Sequence, residues 1–356
     1  MSILVAILIF SFLIFIHELG HFLAAKASKV QVNEFAIFMG PAIWKKQKGE
    51  TLYALRCIPI GGYCAMEGED EDSDDPRAFG NAKWWKKIIV LVAGAFMNLL
   101  LAYLLVFFMV GFSSYYKEIP HTTLESVEVG SSFEGYLLPG DRILEIDGEK
   151  VFATGDVTGL MAYNLSGKAD VHDITVIRKG EKLFFDDMNT EARELPDYNG
   201  EIRLRLGLNF QVSQRNLWNT ASYSWNLCCN HVRSVWLSLK MLFRGALSFK
   251  DLGGPVYIVK AMADVGSGSE SVSDGFLNFV RIGALIAANL GVMNLLPIPA
   301  LDGGRVVGVF LTAVIEGITK KKLNPKIEGY VHGIGMVLLL ALMVLIFFKD
   351  IFFIVR

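Results

Sequence analysis

His17, Glu18 and His21 read H-E-L-G-H at the end of an apolar run that begins at Ile3. On a helix, this spacing puts two imidazoles one turn apart on one face. That arrangement suits two ligands of a zinc ion, with the glutamate beside them as general base. A soluble metal hydrolase would carry the motif on an amphipathic helix. Here Ile3 to Ile16 flank it on one side and Phe22 to Ala25 on the other, nearly all apolar. Ionisable groups inside a membrane-length segment are costly and are read as functional. Three of them within five residues exceed what a polar helix end at a membrane interface would need.

A catalytic zinc takes three protein ligands and keeps one position open. Asp302 is the candidate third ligand. It closes a long uncharged stretch, Asn289-Leu290-Gly291-Val292-Met293-Asn294-Leu295-Leu296-Pro297-Ile298-Pro299-Ala300-Leu301-Asp302-Gly303-Gly304. Pro297 and Pro299 each remove a helix donor and clash with the preceding turn, so the helix must break there. Broken helices at membrane depth persist only where they are buried in protein or line a cavity. Two breaks beside two Asn, one Asp and two Gly describe a polar site. The plainer alternative is an Asp-Gly-Gly turn at a membrane surface; the presence of H-E-x-x-H favours the ligand.

The elements that must position these groups are membrane helices. The chain has 356 residues, 53% of them hydrophobic, and a mean hydropathy of +0.41, too apolar for an ordinary soluble protein. A bilayer takes roughly 20 residues to cross. Four stretches qualify: about Ser2 to Ala25, between Lys87 and Lys117, between Arg281 and Asp302, and about Gly333 to Phe348. The first lacks the basic start and small-residue cleavage site of a signal peptide, so it is read as retained. Lys26, Lys29, Lys45, Lys46, Lys48, Lys83, Lys86 and Lys87 flank the first loop. Arg305, Lys320, Lys321, Lys322 and Lys326 fill the third. By the positive-inside rule both loops face the cytoplasm, and the long segment from about Lys117 to Asp274 and both termini face outside. The active site then lies toward the cytoplasmic side. A formal charge of −2 gives no hint of nucleic-acid binding. Cys57, Cys64, Cys228 and Cys229 lack C-x-x-C spacing, so neither a zinc ribbon nor a redox pair is supported.

The middle of the chain reads as a soluble β-rich domain over residues 119–210. Leu138-Pro139-Gly140-Asp141 is a turn, Arg142 to Ile146 a short strand, and Asp147-Gly148 a hairpin turn. Val171 to Arg178 is another strand, turned at Lys179-Gly180-Glu181 into Leu183 to Phe185. The run L-x-P-G-D-x-I-x-x-I-D-G resembles a PDZ domain of bacterial type, which implies binding of an extended peptide end by strand addition. Trp225 to Phe249 reads as a helix with Arg233, Lys240 and Arg244 on one stripe, suited either to the headgroup region or to packing on the β-rich domain.

Taken together, H-E-x-x-H in the first span, N-x-x-P-x-P-x-L-D-G-G in a later one, and the PDZ-like insert resemble the site-2 protease family. This is a family of intramembrane zinc metalloproteases, and the likeness is to its bacterial RseP/RasP-like branch. Pro59-Ile60-Gly61-Gly62-Tyr63, Gly94, Asn98 and Leu252-Gly253-Gly254-Pro255-Val256 share in it. The resemblance implies zinc held by His17, His21 and Asp302, with Glu18 catalytic. It also implies that Asn294 donates to substrate backbone or the developing oxyanion. It further implies a bacterial cytoplasmic membrane enzyme that cuts transmembrane substrates, such as an anti-sigma factor already trimmed outside, or remnant signal peptides. Two departures stand out. Gly94-Ala95-Phe96-Met97-Asn98 replaces the family's G-P-x-x-N, and the length leaves room for a single PDZ domain.

The expected fold is thus a polytopic α-helical membrane protein of about four transmembrane helices, with an extracytoplasmic PDZ-like insert and a cytoplasmic-side β-hairpin. Residues 1–118 form the first part of the membrane core and 119–210 the insert. Residues 211–274 form an amphipathic connector and 275–356 the second part of the core. Thr51 to Met66 resembles the family's membrane-dipping hairpin, with strand character over Tyr53 to Ile58 and a turn at Pro59, Gly61 and Gly62. Its edge could hold an unwound substrate. The acidic run Glu67 to Asp75 reads as a solvated loop, and His121, His172, His231 and His332 as structural or surface residues. Besides the lipid bilayer, the expected partners are a transmembrane substrate and a peptide end or ectodomain at the insert. Two other readings remain. A catalytically inactive PDZ-bearing scaffold would be free to lose Glu18, which is intact. A zinc transporter would carry ionisable groups along its spans, and the second and fourth have almost none.

Overall fold

The computed structural model describes residues 2–69, 71, 73–113, 116–163, 170–196, 201–245, 254, 260, 272–320 and 325–355. The Leu252–Val256 motif therefore lies outside the described residues except for Gly254, as do Asp70 and Asp72 of the acidic run. The chain forms two compact units, one of Met1–Val106 with Ser234–Arg356 and one of Phe107–Arg233. Four helices are long and apolar enough to cross a membrane: Ile7–Ser28, Trp84–Phe112, Gly275–Asn294 and Gly329–Phe352. The protein is a polytopic membrane protein with a β-rich region.

In the first unit, α1 (Ser2–Ser28) is followed by the strands β1 (Val32–Lys48) and β2 (Thr51–Met66), and then by α2 (Trp84–Phe112). α1 stops where Lys29 takes a left-handed backbone (φ +63°). There the Val30 N–H reaches back to the Ala25 carbonyl, the satisfied C-terminal turn expected of a helix end. The strands bear out the expected turn and add a second one. One reversal lies at Gly49-Glu50, and β2 folds back on itself across Pro59 to Gly62, because Glu34 to Ile37 pair with Leu52 to Leu55 in one sense and with Ala65 to Gly62 in the other. The first half of β1 sits between two stretches of β2. Phe35 faces Cys64 on one side and Tyr53 on the other, while Lys45 to Lys48 pair with Ala54 to Thr51. Two long bent strands thus make a sheet four segments wide.

This sheet packs on α1 through aromatic rings. Phe35 meets Phe15 at 6.0 Å and Phe22 at 4.9 Å between centroids, and Tyr53 meets Phe22 at 5.9 Å. Ala25, Val30, Val32, Cys64, Met66, Phe79, Val90, Leu91 and Val309 complete the core. Burial in it pushes the Cys64 thiol pKa well above its ordinary value.

The third expected span begins earlier than Arg281. It is α5 (Val272–Asn294), which carries Arg281 inside it. After a break, α6 (Asp302–Thr319) and α7 (Pro325–Val355) follow. In the second unit the sheet order is β10-β3-β4-β6-β7, with β5 on β4, and β8 and β9 pair separately. These strands are β3 (Glu118–Val127), β4 (Arg142–Ile146), β5 (Glu149–Lys150), β6 (Val171–Arg178), β7 (Glu181–Asn189), β8 (Arg193–Pro196), β9 (Ile202–Arg205) and β10 (Leu208–Gln214). The Pro139-Gly140-Asp141 turn is locked by Asp141. Its buried carboxylate accepts from the Leu138 N–H at 2.8 Å and from Arg178 Nε and Nη2 at 2.8 and 2.7 Å. A short helix, α3 (Gly155–Tyr163), precedes β6, and α4 (Leu217–Phe243) follows β10. α4 starts eight residues before the expected Trp225. Gln214 ends the strand, and the Asn216 side chain caps the new helix through the Asn219 N–H at 2.8 Å.

Candidate metal centre

The helical spacing of His17 and His21 brings their Nε2 atoms to 3.1 Å. Asp302 Oδ2 lies 3.2 Å from the first and 3.3 Å from the second. Three ligands of a tetrahedral zinc, with bonds of about 2.0–2.1 Å, sit about 3.3 Å from one another. The triangle matches that face. Asp302 Oδ2 is buried without a hydrogen-bond partner, an arrangement that a cation between the three atoms would explain. These residues therefore fit a zinc ion.

The outer nitrogens support the same fit. His21 Nδ1 lies 2.8 Å from the Val90 carbonyl. Donation there puts the proton on Nδ1 and leaves the Nε2 lone pair facing the centre. Around His17 Nδ1 the structure brings two amides, Asn98 Nδ2 at 3.3 Å and Asn294 Nδ2 at 3.5 Å. An imidazole with Nε2 toward a metal carries its proton on Nδ1 and needs an acceptor. Asn98 Oδ1 is buried without a partner. Turning that amide, whose oxygen and nitrogen are interchangeable in placement, supplies the acceptor.

Glycines let the elements approach this closely. A Cβ on Gly94 of α2 would overlap His21 Nε2 and stand 2.7 Å from His17 Cε1. A Cβ on Gly20 would strike the backbone of Ala93 and Gly94, so α1 and α2 meet backbone to backbone. A Cβ on Gly303 would overlap the Leu295 and Leu296 backbone, and one on Gly304 the Ile298 carbonyl. The first turn of α6 is thereby folded against the break it emerges from. Asp302 stands in that first turn, and Leu301 before it offers no side-chain cap. The free N–H groups there favour a carboxylate. Gly62 of β2 lies beside Glu18, since a Cβ on it would sit 3.7 Å from Glu18 Cγ.

The expected residues His17, His21 and Asp302 are thus brought together, Asn294 joins them at the end of α5, and Glu18 faces the sheet. Sequence reasoning missed the Val90 carbonyl, which carries no side-chain signal. It also missed two contacts that hold the ligand-bearing segment. Arg305 of α6 pairs with Glu69 of the acidic run, their side chains only 17% and 15% exposed, so this run is partly buried rather than simply solvated. His332 of α7 lies 3.1 Å from the Ala300 N–H. Among the described residues, Asp173, Asp186 and Asp187 form the other group able to hold a cation; two of the three are exposed. His172 is buried against Asp147 at 2.7 Å, a structural pair.

The sequence matches peptidase family M50 over residues 5–342. The chain belongs to that family, the site-2 proteases. It is 37% identical to a protein of Clostridium acetobutylicum that carries a zinc-metalloprotease name, covering 98% of this chain and 97% of the relative. A Fusobacterium nucleatum relative with the same kind of name is 33% identical over 99% of this chain and 98% of its own. The regulator of sigma-W protease RasP of Bacillus subtilis is 26% identical, covering 98% of each chain. The resemblance drawn from the two motifs is therefore the family found, and the enzyme is a zinc metalloprotease.

Proposed function

We propose that this peptidase cuts transmembrane segments within the bilayer, using zinc held by His17, His21 and Asp302. One observation carries the proposal. The three ligand atoms converge at a point on α1 inside the membrane-length stretch Ile7–Ser28, so substrate must be met at membrane depth. Zinc bound there supplies Lewis acidity to a water and to the carbonyl under attack. Glu18 takes the proton of the attacking water and delivers it to the leaving amide nitrogen. Asn294 donates its side-chain amide to the carbonyl oxygen as charge develops.

A helical substrate hides its carbonyls in hydrogen bonds and must unwind first. Gly62 beside Glu18 places a stretch of β2 backbone where an extended substrate can lie as an added strand. The hairpin and the basic first loop face the cytoplasm. Residues 119–210 form a single PDZ-like domain outside the bacterial cytoplasmic membrane, where it receives a peptide end or screens ectodomains. The name of the Bacillus subtilis relative favours a membrane-anchored regulator of a sigma factor, trimmed outside beforehand, as the substrate class. Remnant signal peptides are the second class.

Glu18→Gln tests the reading. The variant should retain zinc and lose cleavage of a model transmembrane substrate by about a thousandfold or more, within the range expected for a general base. Cleavage at the wild-type rate would remove Glu18 from the chemistry. If the wild-type protein cleaves no membrane substrate while it cleaves soluble peptides, the transmembrane substrate class is wrong. Membrane fragments that accumulate in wild-type cells and vanish in the Glu18→Gln strain would identify the substrate.

A further inference from the structure

We propose that His332 is a positioning residue, whose Nδ1 accepts the Ala300 N–H and so holds the broken segment that carries Asp302 to the two histidines. The proposal rests on the zinc reading above. Between Asn294 and Asp302 the backbone donors can be followed one by one. Leu295 donates to Val292, Leu296 to Met293, Ile298 to Leu296 and Leu301 to Ile298, while Pro297 and Pro299 have none to give. Ala300 is the remaining donor, and its partner is an imidazole from another helix at 3.1 Å. A backbone N–H withdrawn from water and left without an acceptor is disfavoured, so this part-buried contact completes the segment.

Ala300 is also strained. Its φ of +84° is one that residues bearing a Cβ rarely adopt, and such conformations persist only where the surroundings enforce them. α7 supplies the enforcement with one face. Gly335, three residues beyond His332 and on the same side of the helix, approaches so closely that a Cβ on it would stand 2.7 Å from the Pro299 carbonyl carbon and oxygen. Asp302 lies two residues beyond Ala300, and so any relaxation of Ala300 redirects the carboxylate. Because Nδ1 accepts, the proton of His332 sits on Nε2. An asparagine at this position can offer its side-chain oxygen in place of Nδ1, whereas a leucine fills similar space and offers nothing.

The test uses detergent-solubilised full-length protein and measures zinc affinity by competition with a chelator, alongside cleavage. Residues that hold metal ligands typically contribute 10–100-fold in affinity, so His332→Leu should weaken zinc by about tenfold or more. His332→Asn should stay within about threefold of wild type on the same scale. Ala300→Gly should restore most of the loss in the His332→Leu background, because glycine reaches this φ without strain. Tight zinc binding by His332→Leu overturns the proposal, as does failure of both His332→Asn and the double variant to recover it. If His332→Leu does not accumulate, recovery of folded, zinc-binding protein by those two variants supports the proposal, and its absence counts against it. Wild-type protein that binds no zinc would instead overturn the zinc reading, a result separable from these.

Discussion

Two regions deliver ligands to one point by opposite means. On α1 the local period of a regular helix is enough: residues 17 and 21 share a face, and their Nε2 atoms end 3.1 Å apart. Residues 294–302 do the reverse. Their helix is interrupted by two prolines, one residue sits at φ +84°, and Asp302 arrives through contacts made by α6 and α7. A regular element gives geometry that its own sequence fixes. A broken one gives geometry that only its neighbours fix, and it depends on every neighbour that holds it.

Removing a ligand from each side is the strongest way to challenge that contrast. Asp302→Ala and His21→Ala should each weaken zinc by more than the roughly 100-fold upper end seen for outer partners. Unchanged zinc affinity in Asp302→Ala would leave the broken region outside the site. A subtler pair adds one methyl group. Gly94→Ala places a Cβ against both imidazoles on the regular side, and Gly303→Ala places one against the Leu295 and Leu296 backbone on the broken side. Overpacking of this kind costs about 1–3 kcal/mol where nothing can shift. Gly94→Ala should chiefly lower zinc affinity with the thermal midpoint nearly kept, because ring rotation relieves it. Gly303→Ala meets only backbone and should lower both together. If the two variants behave alike, the regular and broken regions are equally rigid and the contrast fails.

The same contrast explains what could be read from the sequence. H-E-x-x-H declares its geometry through spacing alone, and the two prolines declare a break. Together they point to Asp302 as the third ligand, but neither gives the distance at which it closes the triangle; the fold supplies that. β1 went unread because Gly40-Pro41 and Lys45, Lys46 and Lys48 disguise a strand as a charged loop. Pro59, Gly61 and Gly62 declare a turn, and β2 folds back there with Gly61 at positive φ, while Gly40 at positive φ accompanies the matching reversal of β1 that the sequence does not declare. His332 carries no motif, since its partner is a backbone N–H thirty-two residues away.

Asn98 sharpens the contrast at smaller scale, because it serves the regular side from α2. Asn98→Leu removes the buried acceptor for His17 Nδ1 and should weaken zinc about tenfold, as loss of an outer hydrogen bond to a ligand typically does. Asn98→Asp keeps an acceptor oxygen and should retain more affinity than the leucine variant. Equal losses in the two would mean that Asn98 fills space and does not fix the His17 tautomer.

The smallest effect belongs to the acidic run, which touches the broken region through Glu69 and Arg305 and the hairpin base through other pairs. Glu50 bonds Lys26 at 2.7 Å and Arg77 at 2.5 Å. Glu67 accepts from Ser73 and Asn33, each at 2.6 Å. Lys26 and Arg77 hold the Glu50 carboxyl below its ordinary pKa, and Ser73 and Asn33 do the same for Glu67. A carboxylate depressed in the folded state stabilises it above the unfolded pKa and loses that effect as pH falls through the folded one. Protease protection of residues 67–82 should therefore be flat from about pH 8 to about pH 6 and fall only below the ordinary glutamate range near 4.3. These pairs are largely solvent-facing, so the change should be modest and should shrink with added salt. Arg305→Gln should loosen the same loop at neutral pH and lower zinc affinity by no more than a few-fold. A larger loss of zinc in Arg305→Gln than in Asn98→Leu would reverse the ranking and make the loop a principal support of Asp302.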